Sequence, residues 1–135
     1  KILNETKKLK PFLISLSANS ALMTAISNDE KYENVYSDQI NQIGLKNDIL
    51  ITISSSGSSK NIVKAIMAAK KKSIITISLT GFKGGTSKTL ADINLHVNSE
   101  NYGIIESLHH TIMNLISQFL KNKYFSIKNI KKKKF

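Results

Sequence analysis

The sequence predicts an α/β fold, a three-layer sandwich in which a mostly parallel sheet is flanked by helices. Short apolar runs rich in isoleucine, Ile49 to Ile53, Ile74 to Leu79 and Ile93 to Val97, alternate with stretches of helical apolar spacing. Strands alternating with helices imply crossover connections and therefore parallel neighbours. The first two runs end in loops of small residues, Ser54 to Ser59 and Thr80 to Gly85, at the carboxyl ends of strands where such folds place their ligands.

Taken in order, Lys1 to Lys10 is a polar lead-in or helix end, and Pro11 fixes the start of the first strand. Phe12, Leu13, Ile14 and Leu16 make this short strand, which runs into Ser17 to Ser20. Asn19 or Ser20 caps a helix bearing Ala21, Leu22, Ala25 and Ile26, and Asn28 and Asp29 break it. A second helix covers Asn34 to Ile43, with Val35, Ile40 and Ile43 inward and Gly44 as its terminator. Ile49, Leu50, Ile51 and Ile53 suit a parallel strand covered on both faces. From Lys60 a helix repeats Ile62, Val63, Ile66 and Met67, while Ala65, Ala68 and Ala69 permit close approach to a sheet. Lys70 to Lys72 forms its solvated end. Ile74, Ile75, Ile77 and Leu79 build the next strand, Thr86 to Leu90 a short helix, and Ile93, Leu95 and Val97 a less buried strand. The last helix, Ile104 to Leu120, carries Ile105, Leu108, Ile112, Leu115, Ile116 and Phe119 on one stripe.

At 135 residues the chain holds one core rather than two. No segment reaches the roughly 18 to 20 apolar residues of a membrane span, and Lys1 to Lys10 lacks the apolar centre of a secretory signal. Without cysteine there is neither a disulfide framework nor a thiolate metal site, which fits a soluble, cytoplasmic domain with no membrane partner. The net charge of +11 is unevenly spread. All twenty basic residues are lysine, and seven fall in the last fifteen positions, leaving thirteen lysines against nine acids elsewhere, a net of +4. A mildly basic domain, residues 1–121, with a lysine-rich tail at 122–135 describes this better than a nucleic-acid interface. Arginine, preferred for bidentate phosphate and guanine contacts, is absent, so no specific nucleic-acid partner is expected.

The stretch with the strongest chemical signal is Asp48 to Ala69, a buried strand that stops in Ser54-Ser55-Ser56-Gly57-Ser58-Ser59 and restarts as a helix. A helix N-terminus offers unpaired N–H groups and a partial positive charge, and hydroxyls add further donors. One serine there would be an ordinary cap. Five around a glycine exceed what capping needs and point to an anion, a phosphate above all. The Gly81 to Gly85 loop is glycine-rich but matches neither the dinucleotide nor the Walker signature.

Five blocks in order, ALMTAISND at 21–29, DILITISSSGSSKNIVKAI at 48–66, ITISLTGFKGG at 75–85, LADINLHV at 90–97 and NYGIIESLHHTIMNLISQFL at 101–120, resemble the sugar isomerase (SIS) domain family, in particular its phosphoheptose isomerase branch. The resemblance implies a flavodoxin-like three-layer sandwich, aldose–ketose isomerisation of sedoheptulose 7-phosphate or a related phosphosugar, and a homotetramer with sites between subunits, often with zinc. It places the phosphate-binding hydroxyls on Ser54, Ser55, Ser56 and Ser59. Asn19 falls where the isomerases carry a substrate-contacting Asp.

The match departs from the family in three places. The family's earlier strand, its GNGGS loop, and the helix bearing a metal-ligand His and a catalytic Glu have no counterpart in residues 1–135. On the last helix Glu106 stands where the family has Gln, and Asn114 where it has a catalytic or metal-binding His. An amide cannot shuttle a proton as imidazole does. Glu106 lies i,i+3 from His109 and i,i+4 from His110, so either pair can meet on one face and supply an acid and an imidazole for proton transfer beside a carbonyl. His96, in an alternating strand, is expected at the surface. A non-catalytic phosphosugar-binding or assembly domain is the alternative reading.

Overall fold

The computed structural model describes residues 12–124. In order it contains α1 (Ser20–Asp29), a 3-10 turn (Tyr32–Asn34), α2 (Ser37–Ile43), β1 (Ile49–Ser54), α3 (Lys60–Lys71), β2 (Ile75–Thr80), α4 (Gly85–Leu90), β3 (Ile93–His96) and α5 (Tyr102–Tyr124). The three strands form one parallel sheet in the order β1-β2-β3, so the α/β class and the parallel pairing are as expected. The described residues divide into a larger compact unit, Ser15–His109, and a smaller one holding residues 12–14 and 110–124. The lead-in through Pro11 and Lys128 and Lys131 to Lys134 of the tail lie outside the described residues.

Strand alternation sends successive side chains to opposite faces, and here the two faces differ in kind. One carries Leu50, Thr52 and Ser54 of β1 with Thr76, Ser78 and Thr80 of β2, small or hydroxyl-bearing residues that, apart from the half-buried Leu50, are buried. Small side chains there let α3 approach closely through Ala65, Ala68 and Ala69, which cluster with Ile40 of α2 and Ile74. The other face carries Ile49, Ile51 and Ile53 beside Ile75 and Ile93, all exposed. β1 is therefore not covered on both faces as its composition suggested. Its register puts Ile49, Ile51 and Ile53 on the face opposite the one α3 approaches, where they stay exposed although Leu79 of β2, on the same face, is fully buried.

Four other expectations shift. Residues 12–15 are not a strand: Phe12 and Leu13 are exposed, and among the described residues β1 pairs only with β2. A strand persists only where a neighbour takes its backbone hydrogen bonds. The second helix splits into the 3-10 turn and α2, and Ile43 is exposed rather than inward. Gly44 ends α2 as expected, donating its N–H to the Ile40 carbonyl at 2.9 Å. On α5, Ile105 is fully buried but Leu108, Leu115 and Phe119 are exposed, so the apolar stripe is present without being packed away.

Two polar ties hold the larger unit. Lys64 of α3 reaches Glu33 at 2.6 Å and the Asn34 amide oxygen at 2.8 Å, fixing the 3-10 turn. Asp92, before β3, accepts from the Thr76 N–H and hydroxyl at 2.8 and 2.7 Å and from Lys70 at 2.8 Å, joining the start of β2 to α3 and to the end of α4.

Candidate functional site

The serine loop is shaped by hydrogen bonds to itself. Gly57 donates its N–H to the Ser54 carbonyl at 3.0 Å and to the Ser54 hydroxyl at 3.2 Å, turning the chain sharply at the end of β1. The Ser54 and Ser59 hydroxyls lie 3.4 Å apart across the turn. Ser59 is the N-cap residue of α3 but makes no side-chain capping bond, so the N–H groups of the first turn are not taken up by it. That leaves a helix N-terminus facing hydroxyls, the arrangement the sequence suggested.

The glycine-rich loop after β2 has a role that its sequence did not disclose. Gly81 donates to the Ser55 carbonyl at 2.8 Å, and Ser87 donates to the Gly57 carbonyl at 2.8 Å. Gly57, Gly84 and Gly85 all have φ in the left-handed region, at 65°, 85° and 51°. A Cβ on Gly57 would overlap the Gly84 carbonyl, and one on Gly85 would overlap Ser58 and Gly57. The two loops are thus pressed backbone to backbone, and glycine is required on both sides of the contact. Two glycine-bearing loops ending adjacent strands were the available signal.

Around the loop is an open cavity of about 500 Å³. Ser54, Ser55, Ser56 and Ser59 line it, and so does Glu106 from the start of α5. Tyr36, Asn61 and Tyr102, which sequence reasoning did not single out, complete the polar lining. The Tyr36 phenol is pushed up in pKa by burial and then by Tyr32 nearby, so it stays protonated at neutral pH. Tyr102 packs against Phe82 with ring centroids 4.6 Å apart.

The other candidate residues sit elsewhere. Asn19 caps α1, its side-chain oxygen accepting from Leu22 N–H at 3.0 Å, and does not line the cavity. His109 is 2 % exposed, and its Nε2 lies 3.2 Å from the Thr80 carbonyl. A carbonyl only accepts, so Nε2 carries the proton and donates, leaving Nδ1 buried without a partner among the described residues. No hydrogen bond joins His109 to Glu106 among the described residues. His110 is exposed on α5, in the smaller unit. His96 is half-buried rather than at the surface, with Nδ1 3.1 Å from the Thr80 hydroxyl, because β3 is covered on that side. Burial, then Lys88, lowers its pKa.

Zinc sites need three or four ligands from His, Cys, Asp or Glu. Among the described residues Glu106 is the only such residue lining the cavity, and His109 is committed to Thr80. Among the described residues no group of three or more could hold a metal ion, so these residues by themselves do not fit zinc. No helix among them is long and apolar enough to cross a membrane.

A parallel α/β domain with a serine-rimmed cavity at the carboxyl end of a strand, entered by one carboxylate from a later helix, is the class these features define. The chain belongs to the SIS domain family, whose pattern matches residues 4–81. It is similar to the phosphoheptose isomerase of Helicobacter pylori (strain Shi470), at 40% identity over 116 residues, covering 86% of this chain and 60% of that protein. The probable phosphoheptose isomerase of Thermoplasma acidophilum is 37% identical over 119 residues, covering 87% and 65%. Among solved structures, a phosphoheptose isomerase from Francisella tularensis superposes with a TM-score of 0.74 at 30% identity, covering 84% of this chain and 65% of that one. One from Neisseria gonorrhoeae gives 0.78 at 29%, covering 79% and 61%. The chain thus spans about 60 to 65% of the length of these relatives.

Proposed function

We propose that the chain is the phosphosugar-binding part of an aldose–ketose isomerase acting on sedoheptulose 7-phosphate or a related phosphosugar. The observation that carries this is the meeting of Ser54, Ser55, Ser56 and Ser59 with Glu106 around one cavity. The loop hydroxyls and the first-turn N–H groups of α3 donate to the phosphate, and the positive end of the helix favours its charge. Glu106 then acts as the proton carrier: it removes a proton from the carbon beside the carbonyl and returns it to the former carbonyl carbon. His110 remains available as the imidazole partner, and His109 enters only by leaving Thr80. The resemblance adds zinc, a sugar contact from Asn19, a cytoplasmic location and a homotetramer; the exposed isoleucines of the sheet support association between copies. From the charge distribution, residues 1–121 are proposed as one domain and 122–135 as a lysine-rich tail.

Turnover of sedoheptulose 7-phosphate that falls at least a hundredfold in Glu106→Gln, with binding retained, supports the reading. Wild-type activity in that variant removes Glu106 from the chemistry. The commitment of His109 to Thr80 favours a second reading, a domain that binds the phosphosugar without converting it. Saturable binding with no turnover at high enzyme concentration would establish it.

A further inference from the structure

Tyr102, at the first position of α5, lines the serine cavity, whose proposed phosphate donors are the serines and the first turn of α3. Its ring meets Phe82 at 4.6 Å between centroids with the planes 62° apart, an edge-on aromatic contact. Phe82 is held there by an unusual backbone. Its φ is 48°, in the left-handed region that a bulky side chain enters only against steric resistance, and its N–H donates to the Ser99 carbonyl at 3.0 Å. Gly81, next to it, donates to the Ser55 carbonyl and lies so close to Ile105 that no Cβ would fit. One short loop therefore braces the serine loop on one side and the first turn of α5 on the other, and the strained residue between aims an aromatic ring at Tyr102.

Tyr102 is nevertheless 58 % exposed. A tyrosine serving only to pack would be covered, whereas this one is supported from one side and open on the other. Glu106 lies four residues further on and so shares its face of the helix. A ligand with its phosphate at the serines and its reacting carbons near Glu106 would carry its chain past this ring. Tyrosine offers such a chain an apolar face for C–H groups and a hydroxyl for the sugar hydroxyls.

We propose that Tyr102, positioned by Phe82, is a specificity-determining platform for the carbon chain of the phosphosugar, separate from the phosphate loop. The inference rests on the phosphate reading of the serine cavity. Inorganic phosphate and sedoheptulose 7-phosphate are titrated into the wild-type chain, Tyr102→Ala and Phe82→Gly, the last relieving the backbone while deleting the ring. Both variants are expected to bind the sugar phosphate about three- to tenfold more weakly and inorganic phosphate unchanged. If the wild type binds both and Tyr102→Ala leaves their ratio unchanged, or weakens both equally, the platform is refuted and the phosphate loop stands. If the folded wild type binds neither, the reading of the serine cavity falls and the platform falls with it.

Discussion

Replacing Gly57 by alanine tests whether the serine loop depends on its contact with the glycine-rich loop. At φ 65° an alanine pays the left-handed penalty of about 1–2 kcal/mol. Its Cβ would overlap the Gly84 carbonyl oxygen and stand 3.2 Å from the Gly85 nitrogen, both backbone atoms that no rotamer change can move aside. Overpacking of that kind costs about 1–3 kcal/mol, so the substitution should cost roughly 2–5 kcal/mol in all. A domain of this size has about 5–15 kcal/mol to lose. Urea denaturation followed by circular dichroism should show the midpoint falling by about 1–2 M, and the folded fraction should bind phosphate weakly because the Ser54 to Ser59 turn has opened. Gly103→Ala, whose Cβ meets only the Asn101 side chain at 3.3 Å, is the control and should stay within about 1 kcal/mol. A Gly57→Ala protein with wild-type midpoint and wild-type phosphate affinity would refute the braced-loop account.

Two further predictions concern ionisable groups. Asp92 is held far below the usual carboxylate range by the Lys70 ammonium first, then by the Thr76 hydroxyl and N–H. Its contribution to stability is therefore complete above the ordinary carboxylate pKa of about 4 and is lost as pH falls below it. Asp92→Asn should be less stable at pH 7 and show a flatter decline between pH 5 and 2, as urea midpoints across that range would reveal; parallel pH profiles would contradict the assignment. His109→Ala should destabilise by about 2–4 kcal/mol through the cavity it leaves and the lost bond to Thr80, without selectively weakening phosphate binding. Wild-type stability combined with lost turnover would instead return His109 to the chemistry.

The strand β1, the serine loop and the following helix α3 were legible because three local signals agreed there: a β-branched run, a hydroxyl-rich turn and 3.6-residue spacing. Gly44 and the Asn19 cap were legible for the same reason, being fixed by hydrogen bonds to partners within a few residues. What failed depended on partners distant in sequence. Phe12 to Leu16 has strand composition but forms no strand, and the isoleucines of β1 have core composition but are exposed. The site showed the same division. Ser54, Ser55, Ser56, Ser59 and Glu106 line one cavity, whereas Tyr36 and Tyr102, which no local pattern marked, reach it only through tertiary packing. Helical spacing put His109 and Glu106 within reach of each other, but it could not show that the Thr80 carbonyl claims the imidazole.

The most direct measurement is a calorimetric titration of the chain with sedoheptulose 7-phosphate, run beside the Ser55→Ala, Ser56→Ala double variant. The account predicts saturable binding by the wild type that weakens at least tenfold in the variant, since each lost hydroxyl removes a hydrogen bond to a charged group worth about 1.5–3 kcal/mol. Equal binding by the two folded proteins would contradict the assignment of the serine loop as the phosphate site.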